Sequence, residues 1–198
     1  MKFKTLHYIP RIDGHFLDDG IGIWTFLVNF IRWPKKIKLL IQSYCSHVEI
    51  WTPDAKDGFE KYSIKKGKCW TSTMRGKENG VVCRDVKEVL THPERWICME
   101  WETDEERYGN GINWMTDKVI TNQGYGKQTI RSFFWMRRTA KVVYVNGKKV
   151  IQYICSSFCD NAFDILKEKS PYAIPSPLRW TLWLLENRER LGGKFVKL

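Results

Sequence analysis

The chain has 198 residues, ten of them Trp, and a net charge of +11. That length bounds it to one domain, or one domain with an insertion, and a content of 43% hydrophobic and 28% charged residues excludes a disordered chain. The charge points to an anionic partner, such as nucleic acid, an anionic lipid surface or a cell-wall polymer, and says nothing about fold.

The basic residues are spread along the sequence, densest at Lys35-Lys36-Ile37-Lys38 and Lys65-Lys66-Gly67-Lys68, which reads as a solvated basic face before a dedicated nucleic-acid site. Met1 to Thr5 offers no apolar stretch and no small-residue cleavage site, so the expectation is a cytoplasmic protein. Release by a route that needs no signal, as in host lysis by a virus or phage, stays open. No run of about 18 apolar residues is present to span a membrane.

Thr5 to Gly22 reads as an irregular start, with turn signals at Asp13-Gly14 and Asp19-Gly20. Ile23 to Trp33 places Trp24, Leu27, Val28 and Ile31 at helical spacing and stops at Pro34, an amphipathic helix for the core or for a membrane surface. His7 and His15 have no organised neighbours and are read as structural.

Ser43 to Trp51, S-Y-C-S-H-V-E-I-W, reads as a short strand with His47, Glu49 and Trp51 on one face and Val48 and Ile50 on the other. An imidazole with a carboxylate two residues along the same face is what a general base and its orienting group require. The competing reading is a half-exposed strand with polar residues facing water. Asp54 to Gly58 turns the chain, and Phe59 to Ile64 returns as a hairpin partner that brings Glu60 or Ser63 within reach as substitutes for Glu49.

Lys65 to Asn79 is rich in Gly, Lys and Thr and reads as a basic linker, ending at Gly80 where Val81-Val82-Cys83 begins a strand. Asp85 to Thr91 is a brief helix. Arg95 to Trp101 is a strand with Trp96, Cys98 and Glu100 on one face and Ile97, Met99 and Trp101 on the other. The segment from Asp104 forms a helix reaching Ile120, broken by Asn122 to Gly126. Phe133 to Met136 followed by Arg137-Arg138 is the best nucleic-acid signal, since aromatic faces stack bases and Arg binds phosphate, although four consecutive large apolar residues fit a core better.

Lys141 to Ile154 is a hairpin around Asn146-Gly147 that delivers Cys155 to the start of a helix, with Phe158, Ala162, Ile165 and Leu166 at helical spacing. A thiol at a helix N-terminus sits beside free N–H groups and the positive end of the dipole, both of which favour the nucleophilic thiolate. Cys155 is therefore the candidate nucleophile, against the plainer reading of a small buried hydrophobe. Ser156 and Ser157 are helix-start residues. The six cysteines at 45, 69, 83, 98, 155 and 159 form no C-x-x-C pair and imply free thiols with no metal or cofactor. After Pro171 and Pro175, Ser176 caps a last helix that begins at Pro177 and runs to about Leu191.

A strand starting S-H-V-E-I, the Asn122 to Gly126 break before an aromatic stretch, and a late Y-x-C-S opening a helix together resemble the circularly permuted branch of the NlpC-type papain-like superfamily. That branch includes the YiiX-like hydrolases and the lecithin:retinol acyltransferase relatives. The resemblance implies an α+β, papain-like fold: a central antiparallel sheet packed against the nucleophile-bearing helix, in one domain with a C-terminal helical extension from about residue 176. It implies Cys155 as nucleophile and His47 as base, in the reverse of papain order, with Glu49 as the third residue. The implied activity is a cysteine hydrolase cleaving a peptide, isopeptide or cell-wall amide through a thioester. A lipid hydrolase or acyltransferase of the same fold, a basic nucleic-acid-binding protein and a virion structural protein are the alternatives.

Overall fold

The computed structural model describes residues 1–9, 45–53, 67–74, 78–121, 124–126, 142–145, 148–173 and 175–198. The expected helix Ile23 to Trp33, the return strand with Glu60 and Ser63, the aromatic run Phe133 to Met136 and the Asn146-Gly147 turn lie outside them.

The first strand, β1, is Lys2–Tyr8, and the next, β2, is His47–Thr52. They are followed by β3, Lys68–Thr73, and β4, Gly80–Asp85. A short helix α1, Val86–Val89, begins at Asp85, whose carboxylate accepts from the N–H of Lys87. Strand β5 is Trp96–Glu102 and helix α2 is Glu105–Thr121. A hairpin of β6, Val142–Val145, and β7, Lys148–Ile151, leads into α3, Cys155–Leu166. The chain closes with α4, Pro177–Glu186, and β8, Lys194–Val196.

Six strands form one antiparallel sheet in the order β4-β3-β2-β1-β5-β8, while β6 and β7 pair only with each other. The α+β class with an antiparallel sheet packed on the Cys155 helix therefore stands. Two readings are corrected. Of the expected irregular start, Thr5 to Tyr8 belong to a central strand, and the basic linker contains β3, every residue of which is buried. Both were masked by composition: Lys, Thr, Ser and His in K-F-K-T-L-H-Y and K-C-W-T-S-T hide the alternation that a half-apolar strand displays. The C-terminal segment is also more than a helical extension. Its helix ends at Glu186, Leu178, Trp180 and Leu184 are buried in the main core, and β8 adds an edge to the sheet.

Strand register explains where the cores sit. Residues directly opposite in an antiparallel pair share a face. Thr5 lies opposite both Ile50 and Met99, and Ile50 opposite Trp70, so one face presents Phe3, Val48, Ile50, Trp70, Met99 and Trp101. Helices α2, α3 and α4 cover that face, with Phe163 of α3 in edge contact with Phe3, Trp101, Trp180 and Trp183. Each such aromatic contributes about 2–3 kcal/mol by burial. The other face is sealed by a smaller cluster of Leu6, Cys69, Val89 and Cys98 with Trp51 and Trp96 around it. The sheet is thus covered on both sides. This is why β2 is not the half-exposed strand that its sequence allows.

Candidate functional site

His47 and Glu49 lie in β2 on the face away from Val48 and Ile50, and both are buried. The His47 imidazole Nε2 is 3.1 Å from Glu49 Oε1. An N–H there donates to the carboxylate, which places the basic lone pair on Nδ1. Thr71 Oγ1 stands 3.5 Å from the same Nε2 and donates to the Val48 carbonyl at 2.9 Å, so β3 holds the ring from the side. Trp96 of β5 meets the imidazole edge-on, with ring centroids 6.4 Å apart. Glu49 is wholly buried, and Arg84 of β4 donates through Nη2 to the oxygen that His47 also meets. Arg84 in turn reaches Glu78 Oε2 at 3.3 Å through Nη1.

Cys155 is the first residue of α3, as the sequence predicts. The Ser157 hydroxyl accepts from the Ile154 N–H at 3.0 Å and donates to the Ile154 carbonyl at 3.1 Å, closing the helix start. Ser156 donates to the Pro175 carbonyl at 2.7 Å, which ties that turn to the chain entering α4. No acidic residue occupies the first turn of α3, so no negative charge there opposes a thiolate. Tyr153, two residues before Cys155, forms a parallel bridge with Tyr125, and its carbonyl accepts from both Gly126 N and Ser72 Oγ at 2.8 Å. The break after α2 and strand β3 therefore both fix the approach to Cys155.

The helix docks near the beginning of β2. One turn below Cys155, the Cys159 thiol is 3.5 Å from the carbonyl of Val48, the residue after His47. Before the strand, the Cys45 thiol donates to the His47 carbonyl at 3.2 Å, and Cys45, Cys155 and Cys159 share one core cluster. Cys155 thus belongs to the core on the Val48 side, while His47 and Glu49 point to the other face. His47 is the first residue of β2, at the end of the strand where Cys159 meets the Val48 carbonyl. Cys155 is 2% and His47 5% exposed.

The other thiols differ in a useful way. Burial pushes Cys83 up to about 12 and Cys98 up to about 11, and pushes Cys69 and Cys159 up as well, so these four stay protonated. All six cysteines are free thiols. His7, read as structural, is buried against Thr5, Thr181 and Trp180.

Arg84 and Thr71 went unread in the sequence. Thr71 lay in the supposed linker, and Arg84 reaches Glu49 diagonally across β3: the registers of β2 with β3 and β3 with β4 put Arg84 in line with Cys69 and Trp51, on the face that Glu49 shares. The one available signal was a lone Arg ending the apolar run Val81-Val82-Cys83. Among the described residues, no group of three or more His, Cys, Asp or Glu could hold a metal ion, and no helix is long and apolar enough to cross a membrane. No family model matches the chain, nor does any curated protein or solved structure.

Proposed function

We propose that this chain is a cysteine hydrolase of permuted papain-like architecture that cleaves an amide bond in a peptide, isopeptide or cell-wall peptide. The observation that carries the reading is the buried His47–Glu49 hydrogen bond of 3.1 Å at the start of the strand on which the Cys155 helix is docked. A carboxylate fixing Nε2 leaves Nδ1 as the base, the arrangement an activated thiol needs.

In this mechanism His47 takes the proton of Cys155, and the thiolate attacks the amide carbonyl carbon. The C–N bond breaks with that proton passing to the amine, and an acyl thioester remains on Cys155. Water adds to the thioester, giving its proton to His47, and the carboxylic acid leaves as the thiol re-forms. Backbone N–H groups in the first turn of α3 stabilise the oxyanion. An amine or lysolipid in place of water would turn the same chemistry into acyl transfer.

Iodoacetamide labelling of each cysteine, followed by mass spectrometry from about pH 5 to 9 in wild type and His47→Ala, tests the pairing. Cys69, Cys83, Cys98 and Cys159 are internal references because burial holds them protonated. Fast labelling of Cys155 near neutral pH that disappears with His47 supports the activated pair. Labelling no faster than the four references, or indifferent to His47, removes the enzyme reading.

A further inference from the structure

We propose that Arg84 is a positioning residue of this site: by pairing with Glu49 it makes that carboxylate a hydrogen-bond acceptor for His47 instead of a full counter-charge. The claim about His47 basicity stands on geometry alone, and its consequence for catalysis rests on the reading of His47 as the base.

Glu49 Oε1 receives two donors, His47 Nε2 at 3.1 Å and Arg84 Nη2. Its other oxygen, Oε2, is buried with no hydrogen-bond partner among the described residues. A wholly buried carboxylate with only an imidazole beside it stabilises the imidazolium, because neither charge is relieved by water. Such a histidine is a poor proton acceptor at neutral pH. The Arg84 guanidinium, 19% exposed, offsets the carboxylate from the other side. The same compensation reaches the nearby Cys69 thiol, on which the Glu49 charge and the Arg84 charge act with opposite sign.

Other titratable groups lie near the pair. Among the described residues these include Tyr8, opposite His47, and Lys4 on β1, Cys98 and Glu100 on the same face of β5, Cys69 on β3, and Cys83 of β4, on which the Glu49 charge acts. Glu78 lies behind Arg84. Cys69 and, across the sheet, Cys159 are held neutral by burial. Lys4 sits over the Trp51 ring, 4.3 Å from its centroid, and bonds toward Glu100 instead of Glu49.

The test follows the His47 ring by NMR titration in a Cys155→Ser background, where no thiol chemistry intervenes. Removing the cation in Arg84→Gln makes the coupled pair retain its proton to higher pH, by about one unit or more, a tenfold or greater change in proton affinity. Arg84→Lys restores most of the wild-type midpoint. Because lysine keeps the charge and not the shape of the guanidinium, that rescue separates the electrostatic role from a packing role. A folded Arg84→Gln protein with an unmoved midpoint overturns the proposal, as does an Arg84→Lys protein whose midpoint rises as far as that of Arg84→Gln. If the midpoint moves as expected while Cys155 labelling is indifferent to His47, Arg84 keeps its role and the hydrolase reading alone fails.

Discussion

His7 provides a sharp test of how this core is held together. The Thr181 hydroxyl gives its hydrogen to the Pro177 carbonyl at 2.8 Å, so it accepts from His7 Nδ1 at 2.7 Å. That leaves Nε2 to accept from the Thr5 hydroxyl at 2.9 Å, and Thr5 Oγ1 to accept from Trp101 Nε1 at 3.0 Å. Every partner is satisfied only when the ring is neutral, and burial lowers the His7 pKa from 6.5 to about 3. The folded state then binds fewer protons than the unfolded state, so the stability due to this group is complete above the unfolded value. It falls as pH drops from 6.5 toward about 3, where the loss levels off. At about 1.36 kcal/mol per unit the full effect is on the order of 5 kcal/mol, and at pH 5 it is about 2 kcal/mol. Urea unfolding at about pH 8 and 5 measures it. His7→Gln starts less stable because the network is broken, but its decline between the two pH values is smaller than that of wild type by about 2 kcal/mol. An equal decline in both proteins refutes the reasoning. So does an NMR midpoint for His7 near the ordinary histidine value in the wild type, which needs no variant at all.

Two further predictions concern the packing that carries the Cys155 helix. Gly109 and Gly111 both lie in α2, but a Cβ at 109 meets nothing within 4 Å, whereas one at 111 falls 2.6 Å from Leu166 Cδ2 and 2.8 Å from its Cγ. Gly109→Ala should therefore stabilise by about 1 kcal/mol through helix propensity, while Gly111→Ala adds overpacking strain of about 1–3 kcal/mol to the same gain. Denaturant unfolding of the two variants should separate them, and equal stabilisation would show that α2 and α3 are not packed as described. Asp160 is buried, accepting from Trp180 Nε1 at 2.9 Å and Ser170 N at 3.3 Å, and burial raises its pKa. Its ionisation opposes folding above that raised value and ceases to do so once pH falls below the unfolded one. Asp160→Asn, which keeps the accepting oxygen, should match or exceed wild-type stability at pH 7 and lose that advantage on acidification. A large loss at pH 7 would contradict this.

What was legible in the sequence is what local geometry decides. The β6–β7 hairpin, the start of α3 at Cys155, the Ser176 cap and the alternation of Trp96 to Trp101 each depend on neighbours a few residues away, and each is found in place. Strands β1 and β3 were illegible for the opposite reason. Their polar residues are buried because distant partners satisfy them: His7 by Thr181, 174 residues on, Ser72 by the Tyr153 carbonyl, 81 residues on. Composition records the polarity and not the partner. The site divides along the same line, since His47 and Glu49 meet across two residues of one strand, while Arg84 is 35 residues from Glu49. A carboxylate on a strand covered on both faces has to find a cation or a donor, because burying it alone costs several kcal/mol. Once β3 is recognised as a central strand, β4 becomes its neighbour and Arg84 is the cation within reach. Missing that one polar strand is therefore what hid the third member of the network.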